Sequence, residues 1–93
     1  MPCEFTWSER KRRLNLGQHG LDFADAPTVF AGLTFTYEDD RFLYREQRFV
    51  TLGLLVGIPV SIVHTETAHE IRIISFRKAT RAEARLYFDS VRE

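Results

Sequence analysis

The sequence is poor in cysteine and lacks a long hydrophobic run. Its one cysteine, Cys3, excludes an intramolecular disulfide and any cysteine-rich zinc site. The longest apolar stretch, residues 52–60, is interrupted by Gly53, Gly57 and Pro59, so it is unsuited to span a membrane. With 44% hydrophobic and 28% charged residues among 93, the composition is that of one globular domain, predicted to occupy residues 1–93.

The sequence also lacks the motifs of metabolic enzymes. Its glycines form no GxGxxG pattern or phosphate-binding loop, and it contains no metal-ligand cluster or nucleophile triad. These absences disfavour an enzyme of small-molecule metabolism, and no cofactor or metal is expected. The first twenty residues have a polar start and the basic run RKRR at 10–13, with no apolar segment after it, unlike a secretory signal. A cytoplasmic protein is therefore predicted.

The net charge is zero, but the charges are unevenly distributed along the chain. Residues 10–13 are all basic, and residues 71–93 carry six Lys or Arg against three acids. Residues 22–46, in contrast, carry six acids against two arginines. This asymmetry fits a basic face for an anionic partner, whereas the alternative is that each charged run is ordinary solvated surface.

The first third of the sequence has a helical pattern. Ser8 is a good N-cap for a helix that runs to about residue 18 and stops at Gly20. Asp22 can cap a second short helix over residues 23–30, whose length is limited by Pro27. Residues 35–38 then predict a strand, and the EDDRFLYR segment that overlaps its end predicts a polar connection.

The second half of the sequence is rich in strands. Residues 47–55, 58–66 and 69–76 have β patterning and are separated by turns at 56–57 and 67–68, which predicts an antiparallel meander. In the last strand, alternation places Ile71 and Ile73 on one face, with Arg72 and Phe76 on the other. Apolar residues on both faces predict a central strand, and the face that carries Arg72 is then only partly covered.

A capping box from Thr80 to Glu83 predicts a final helix over about residues 81–91. The order of elements predicts the α+β fold class. The expected architecture is an antiparallel sheet of about four strands, with two helices before it and one after it.

An ordered set of residues resembles the BrnT family of bacterial toxins over about residues 4–88. The most specific part is IRIIS-x-RKAT-x-x-E at residues 71–83. The other matching residues are Trp7, Asn15, His19, Gly20, Phe23, Ala26, Val29, Phe30, Glu46, Arg48, Phe49, Gly53, Thr65, Glu66 and Tyr87. The resemblance implies a fold like that of RelE-type toxins and metal-independent ribonuclease activity on free RNA or ribosome-bound mRNA. It also implies inhibition by a BrnA antitoxin, which alone would connect the toxin to DNA, and no membrane partner.

Ribonuclease chemistry would explain the cations that crowd residues 71–84. Without a metal, the reaction needs a base for the ribose 2′-OH, an acid for the leaving 5′-oxygen and fixed cations for the pentavalent phosphorane. The catalytic candidates are therefore Arg72, which a strand fixes better than a loop would, Arg48, and His19, whose residue type is best suited to proton transfer near neutral pH. The candidates for binding RNA or phosphate are Arg77, Lys78, Arg81 and Tyr87, the last by stacking on a base.

Each candidate also has an alternative, structural role. His19 can be a cation at the C-terminal end of its helix, and Tyr87 can belong to the packing stripe of its helix. Arg77 and Lys78 point to opposite sides of a strand, so at least one is expected to pair with the acidic middle segment. His64 is expected to be a half-buried strand residue, although it stays open as a proton-transfer group.

Two functions stay open from the sequence. The first is an endoribonuclease toxin neutralised by its antitoxin. The second is a catalytically weak or inactive module of the same fold that binds RNA or the antitoxin. The second arises because Thr67-Ala68 stands where members of the family commonly have Arg-Gly, which removes one potential phosphate ligand.

Glu46 is a further candidate for proton transfer.

Overall fold

The computed structural model describes residues 3–41 and 43–92. In this part of the chain, five strands form one mixed sheet in the order β1-β5-β4-β3-β2, and three α-helices pack around it. The elements are β1 (Glu4–Thr6), α1 (Glu9–His19), α2 (Ala26–Phe30), β2 (Phe35–Glu38), β3 (Phe49–Leu55), β4 (Ile58–Glu66), β5 (Glu70–Lys78) and α3 (Arg81–Val91), with a 3₁₀ turn at Phe23–Asp25 before α2.

The predicted α+β class is confirmed, but the predicted sheet of about four antiparallel strands is wrong. The four predicted strands are present as β2 to β5 and are antiparallel to one another. β1 adds a fifth strand that runs parallel to β5, with Phe5 opposite Ile71, so the sheet is mixed and its first strand comes before α1 and α2 in the chain. The predicted second helix is split into the 3₁₀ turn and the short α2, because Pro27 fits only the first turn of an α-helix.

The predicted helix ends are confirmed. The Ser8 side chain accepts a hydrogen bond from the backbone of Lys11, and α1 ends at Gly20, whose φ of 71° is left-handed. Thr80 and Glu83 form the reciprocal capping box at the start of α3. Within the described residues, no helix combines the length and the apolar character that a membrane span requires.

The sheet has two faces with different contents. On the α2 face, the buried apolar residues are Phe23, Ala26, Val29, Val60, Ile62, Ile73 and Phe76. On the α3 face, Val50, Leu52 and Tyr87 are buried together, with Phe35, Tyr37, Leu54, Val63 and Val91 packed against them. Helix α3 lies against β2, β3 and β4.

A β-bulge in β5 changes the predicted sidedness of this strand. Val63 pairs with Ser75 and His64 with Ile73, so Ile74 is an extra residue without a direct partner. Beyond the bulge the alternation is shifted by one residue. Phe76 therefore lies with Ile73 on the α2 face, whereas simple alternation predicts that it shares a face with Arg72.

The side chain of Asn15 fastens α1 to β5 where β1 has ended. Its amide nitrogen donates to the carbonyl oxygen of Phe76 at 2.7 Å, and its oxygen accepts from the Phe76 backbone N–H at 3.1 Å. The same amide also donates to the Leu21 carbonyl oxygen at 3.0 Å. The buried side-chain amide thus makes the backbone hydrogen bonds that a neighbouring strand would otherwise make, and it fixes the position of α1 along β5.

Candidate active site

Arg72 lies on the α3 face in a row of residues that crosses the sheet. It pairs with Thr6 of β1 on one side and with Thr65 of β4 on the other. Thr65 is two residues from Val63, which packs on the α3 face, so Thr65 and its partner Arg72 point to the same side. The Arg72 side chain is exposed.

Arg48 continues the same row. The backbone N–H of Asp39 donates to the carbonyl oxygen of Arg48 at 2.8 Å, so the ladder between β2 and β3 extends one residue beyond the two strands. Phe49 pairs with His64, and one further step in this register sets Arg48 opposite Thr65. Arg48 is also two residues from Val50, which packs on the α3 face.

Two predicted catalytic arginines, Arg48 and Arg72, therefore flank Thr65 on one face of the sheet. Neighbouring strands are about 4.8 Å apart, which puts the Cα atoms of the two arginines about 10 Å apart. We call Thr6, Arg72, Thr65 and Arg48 the arginine row. Two arginines whose Cα atoms are this far apart can bring their guanidinium groups to one phosphate or to neighbouring phosphates of a chain.

His19 lies in a groove between α1 and β5. One stripe of α1 lines the groove at helical spacing, and Ile74 and Ser75 of β5 line its other side; the stripe consists of Lys11, Leu14, Asn15, Gln18 and His19. The groove has a volume of about 250 Å³. Ser75 pairs with Val63, two residues from Thr65, so the groove opens roughly 7 Å along the strands from the arginine row.

The structure also explains why His19 stands at this place in the chain. It is the last residue of α1 and precedes the left-handed Gly20, so it occupies the position that favours a cation at a helix C-terminus. Its side chain is exposed. The predicted catalytic role and the helix-end role are therefore both compatible with its location.

Arg77 is tied to α3 by a bidentate ion pair. Its two terminal nitrogens donate to the two Glu83 carboxylate oxygens at 2.8 and 2.9 Å. Burial alone would raise the pKa of Glu83, but the hydrogen bonds from Arg77 and Thr80 outweigh it and bring the pKa below its usual value. One member of the Arg77 and Lys78 pair is thus ion-paired as predicted, but its partner comes from α3 and not from the acidic middle segment.

The remaining predicted RNA-binding residues differ in accessibility. Lys78 and Arg81 are exposed, and Arg81 lines a cavity of about 380 Å³ with Ala82 and Arg85. Tyr87, in contrast, is 3% exposed, and its hydroxyl donates to the Leu33 carbonyl oxygen at 3.0 Å. A base cannot reach the buried ring in this structure, so the packing role holds for Tyr87 and its predicted stacking role is corrected.

The other two candidates for proton transfer differ in burial. His64 is fully buried on the α2 face, where its Nε2 is 2.7 Å from the Thr51 hydroxyl and its ring contacts Phe30. Burial lowers the pKa of His64 to about 4, so the ring is neutral at neutral pH. Glu46 is exposed in the segment before β3, where it lines a cavity with Arg48.

Sequence reasoning missed two residues that contact or support Arg48. The guanidinium carbon of Arg48 lies 4.4 Å from the centre of the Tyr44 ring, and the Tyr44 hydroxyl is bonded to Asp39. The sequence predicted only a polar connection for this segment, so neither residue was identified as a candidate. The only available signal was an aromatic residue four positions before an arginine in an otherwise charged run, which is not specific.

Comparison with known proteins shows the family to which the chain belongs. A search of curated proteins found no match. A scan against family models matches residues 7–83 to a family described as the ribonuclease toxin, BrnT, of a type II toxin-antitoxin system. This match spans most of the chain, includes the arginine row except Thr6, and confirms the resemblance stated from the sequence. The chain belongs to the BrnT family of ribonuclease toxins of type II toxin-antitoxin systems.

Proposed function

We propose that this chain is a metal-independent endoribonuclease that cleaves RNA at the arginine row and is held inactive by a BrnA-type antitoxin. The observation that carries the proposal is the placement of Arg48 and Arg72 on both sides of Thr65, on the α3 face. β5 holds Arg72, and Arg48 directly precedes β3, with its carbonyl oxygen bonded to Asp39. A charge fixed before the reaction stabilises a transition state more effectively than one that must reorganise. The family match supports the activity class.

The proposed reaction needs no group from outside the chain and its RNA. The ribose 2′-oxygen attacks the adjacent phosphorus, the 2′ proton passes to a base, and the 5′-oxygen leaves with a proton, which gives a 2′,3′-cyclic phosphate and a 5′-hydroxyl end. Arg72 and Arg48 would bind the non-bridging phosphate oxygens, whose negative charge grows in the phosphorane. His19 is the proton-transfer residue in this scheme, because its groove opens beside the row.

The exposed cations near the start of α3 would bind RNA outside the cleaved bond. Lys78 and Arg81 are exposed, whereas Arg77 is already paired with Glu83. We therefore assign backbone contacts to Lys78 and Arg81, and a supporting role to Arg77. Such phosphate contacts release counterions, so RNA binding should weaken as the salt concentration increases.

The proposed partner is an antitoxin that covers the α3 face. An acidic or amphipathic antitoxin segment would complement the arginine row and exclude RNA from it. DNA would be reached only through the antitoxin, and the site of action would be the cytoplasm. Mixing the purified chain with the product of the neighbouring reading frame at physiological salt should yield a stable complex; the failure to form one would contradict this part of the proposal.

Replacement of Arg72 by lysine tests the proposed catalytic role directly. Lysine keeps the positive charge but loses the planar fork that binds two phosphate oxygens. We expect Arg72→Lys to cleave an RNA oligonucleotide roughly 10- to 1000-fold more slowly than the wild type in buffer that contains EDTA. Single-turnover rates measure the effect, and circular dichroism with thermal melting checks that the variant is folded.

The matched control is Arg10→Lys, the same substitution at an exposed arginine of α1 outside the row. Its cleavage rate should equal that of the wild type. His19→Ala should lower the rate about 100-fold if His19 transfers a proton. An unchanged rate in His19→Ala would leave this histidine with its helix-end role only, and an unchanged rate in folded Arg72→Lys would refute the catalytic role of the row.

The alternative is a catalytically weak or inactive module that binds RNA or antitoxin. The observation that favours it is that two predicted RNA-contacting residues already have contacts within the protein: Arg77 is paired with Glu83, and Tyr87 is buried. Thr67 and Ala68, which occupy the turn before β5, supply no cation either. Wild-type protein that binds RNA with a strong salt dependence, but does not cut it, would establish this alternative.

A further inference from the structure

A buried carboxylate anchors the segment that precedes β3. Asp39 is 4% exposed, and its two oxygens accept hydrogen bonds from Arg41 Nε at 2.8 Å and from a terminal nitrogen of Arg41 at 3.0 Å. The Tyr44 hydroxyl also donates to Asp39, at 3.0 Å. The hydrogen bonds from Arg41 are the main cause that lowers the pKa of Asp39 to about 2, so this carboxylate is ionised at neutral pH.

Tyr44 connects this anchor to Arg48. Its hydroxyl is held by Asp39, and its ring lies under the guanidinium carbon of Arg48 at 4.4 Å. This distance is within the range of a cation–π interaction, which restrains a guanidinium while leaving its N–H groups available to an anion. The chain of contacts therefore runs from a buried charge through an aromatic ring to one of the two arginines in the row.

The guanidinium of Arg48 has an unused donor. Its Nε is buried, and among residues 3–41 and 43–92 no hydrogen-bond acceptor is bonded to it. A buried donor without a partner is costly, so a protein keeps one only where something compensates. The contact with the Tyr44 ring holds the Arg48 side chain, and both residues line a cavity of about 300 Å³.

We propose that Tyr44 is a positioning residue for the ribonuclease reaction, which fixes the guanidinium of Arg48 on the scissile phosphate and is itself fixed by Asp39. The inference rests on the proposed function, since it assigns a role within the same site. Tyr44 acts through Arg48 and has no proton-transfer role. Its substitution should therefore lower the rate of the chemical step, and it should have no effect once Arg48 has been removed.

A double-mutant cycle between Tyr44 and Arg48 tests this role. The four proteins are the wild type, Tyr44→Leu, Arg48→Ala and the double variant, with cleavage measured under single-turnover conditions in EDTA. We expect Tyr44→Leu to lower the rate constant about 10- to 100-fold, with at most a threefold change in the RNA concentration for half-maximal rate. In the Arg48→Ala background, the same substitution should change the rate less than twofold.

Tyr44→Phe separates the ring from the hydroxyl. It keeps the surface under Arg48 but loses the hydrogen bond to Asp39, so its rate should lie between those of wild type and Tyr44→Leu. Leu43→Ala is the matched control, because Leu43 neighbours Tyr44 and its side chain is fully exposed. Equal effects of Tyr44→Leu with and without Arg48 would overturn the proposal, as would a wild-type rate in Tyr44→Leu. If Tyr44→Leu does not fold, the cycle is completed with Tyr44→Phe.

A binding measurement separates failure of this inference from failure of the proposed function. The probe is a 2′-O-methyl RNA oligonucleotide, which cannot be cleaved through its 2′-oxygen, and the same four proteins are titrated at fixed salt. If the wild type binds this RNA but never cuts unmodified RNA, the proposed catalysis fails, and the positioning role fails with it. If the wild type cuts RNA and Tyr44→Leu binds the probe within threefold of the wild type, but the cleavage rates of the four proteins show no coupling, only the positioning role fails.

Discussion

The two faces of the sheet differ in what they bury. The α2 face is closed by apolar side chains, and even its histidine, His64, is fully buried and hydrogen-bonded to Thr51. The α3 face is covered by α3 over β2 to β4, and it carries Arg48 and Arg72 beyond that helix. Both faces bury apolar side chains, which stabilises the fold, but only the α3 face carries the arginine row, so we expect the proposed activity to depend on that face alone.

Strand β5 shows how one element serves both purposes. Ile73 and Phe76 are buried on the α2 face, and Arg72 is exposed on the α3 face. A strand presents alternate residues to opposite sides, so the packing that holds Ile73 also fixes the backbone from which Arg72 projects. The apolar face therefore acts as the rigid support for the arginine row.

The largest expected effect is a separation of stability from cleavage by substitutions on opposite faces. Ile62→Ala removes a fully buried side chain from the α2 face and should cost about 2–5 kcal/mol in the free energy of unfolding. Arg72→Ala removes an exposed side chain and should cost less than about 0.5 kcal/mol, while it abolishes most cleavage. Urea unfolding curves and single-turnover cleavage rates measure the two quantities.

The difference between the faces would be contradicted if each substitution changed both the free energy of unfolding and the cleavage rate. Cleavage by Ile62→Ala must be measured at a temperature where the variant is still folded, and its rate there should be close to the wild-type value. A folded Ile62→Ala protein that no longer cuts RNA would show that the α2 face contributes to the reaction directly. A large loss of stability in Arg72→Ala would give this arginine a structural role.

Local signals in the sequence predicted most of the individual elements. Ser8, Gly20 and Thr80 mark helix ends through hydrogen bonds and backbone angles that depend on a few neighbouring residues, and all three predictions are confirmed. β1 was not predicted because three residues carry little periodicity and its pairing with β5 joins distant parts of the chain. The bulge at Ile74 likewise depends on the register with β4, which no local pattern encodes.

The candidate site could be predicted only in part for the same reason. Arg72 was identified because a charged residue stands out within an isoleucine-rich strand, and its exposure agrees with the expectation of a partly covered face. The proximity of Arg48 follows from the order β5-β4-β3, which requires the tertiary structure. The proposed roles of Tyr44 and Asp39 depend on contacts between side chains in the segment between β2 and β3, where spacing predicts nothing.

A smaller effect is the pH dependence of folding stability that His64 gives to the α2 face. Burial on the α2 face lowers the pKa of His64 to about 4, against an ordinary value near 6.5 in the unfolded chain. Between these values the unfolded chain binds the proton more tightly than the folded one. Stability from this group is therefore complete above about pH 6.5 and is lost as the pH falls through 4, by on the order of 3 kcal/mol.

Urea unfolding of wild type and His64→Leu between pH 7 and pH 4 measures this contribution. His64→Leu should be less stable at pH 7, because the hydrogen bond between His64 and Thr51 is lost, but its stability should decrease less as the pH falls. His69→Gln is the control, since His69 is an exposed histidine in the turn before β5. Parallel curves for wild type and His64→Leu would show that His64 does not titrate differently in the folded protein.

The smallest effect comes from the turn between β3 and β4, at the end of this hairpin opposite to the arginine row. Val56 has a φ of 49° and Gly57 a φ of 79°, so a β-branched residue occupies a left-handed position that sterically favours asparagine or glycine. Val56→Asn should relieve this strain and stabilise the fold by about 1 kcal/mol. In a domain of this size, that gain corresponds to a rise of roughly 4–8 °C in Tm.

Cleavage by Val56→Asn should be unchanged at temperatures where both proteins are folded, because the exposed turn is about 26 Å along β3 from Arg48. Val56→Thr is the control for loss of apolar surface, since threonine is β-branched and keeps the backbone strain. A Tm increase in Val56→Asn but not in Val56→Thr would assign the gain to the backbone. If the stabilised protein instead cut RNA more slowly, the arginine row would depend on motion of the β3–β4 hairpin, and stability and activity would not be divided between the two faces.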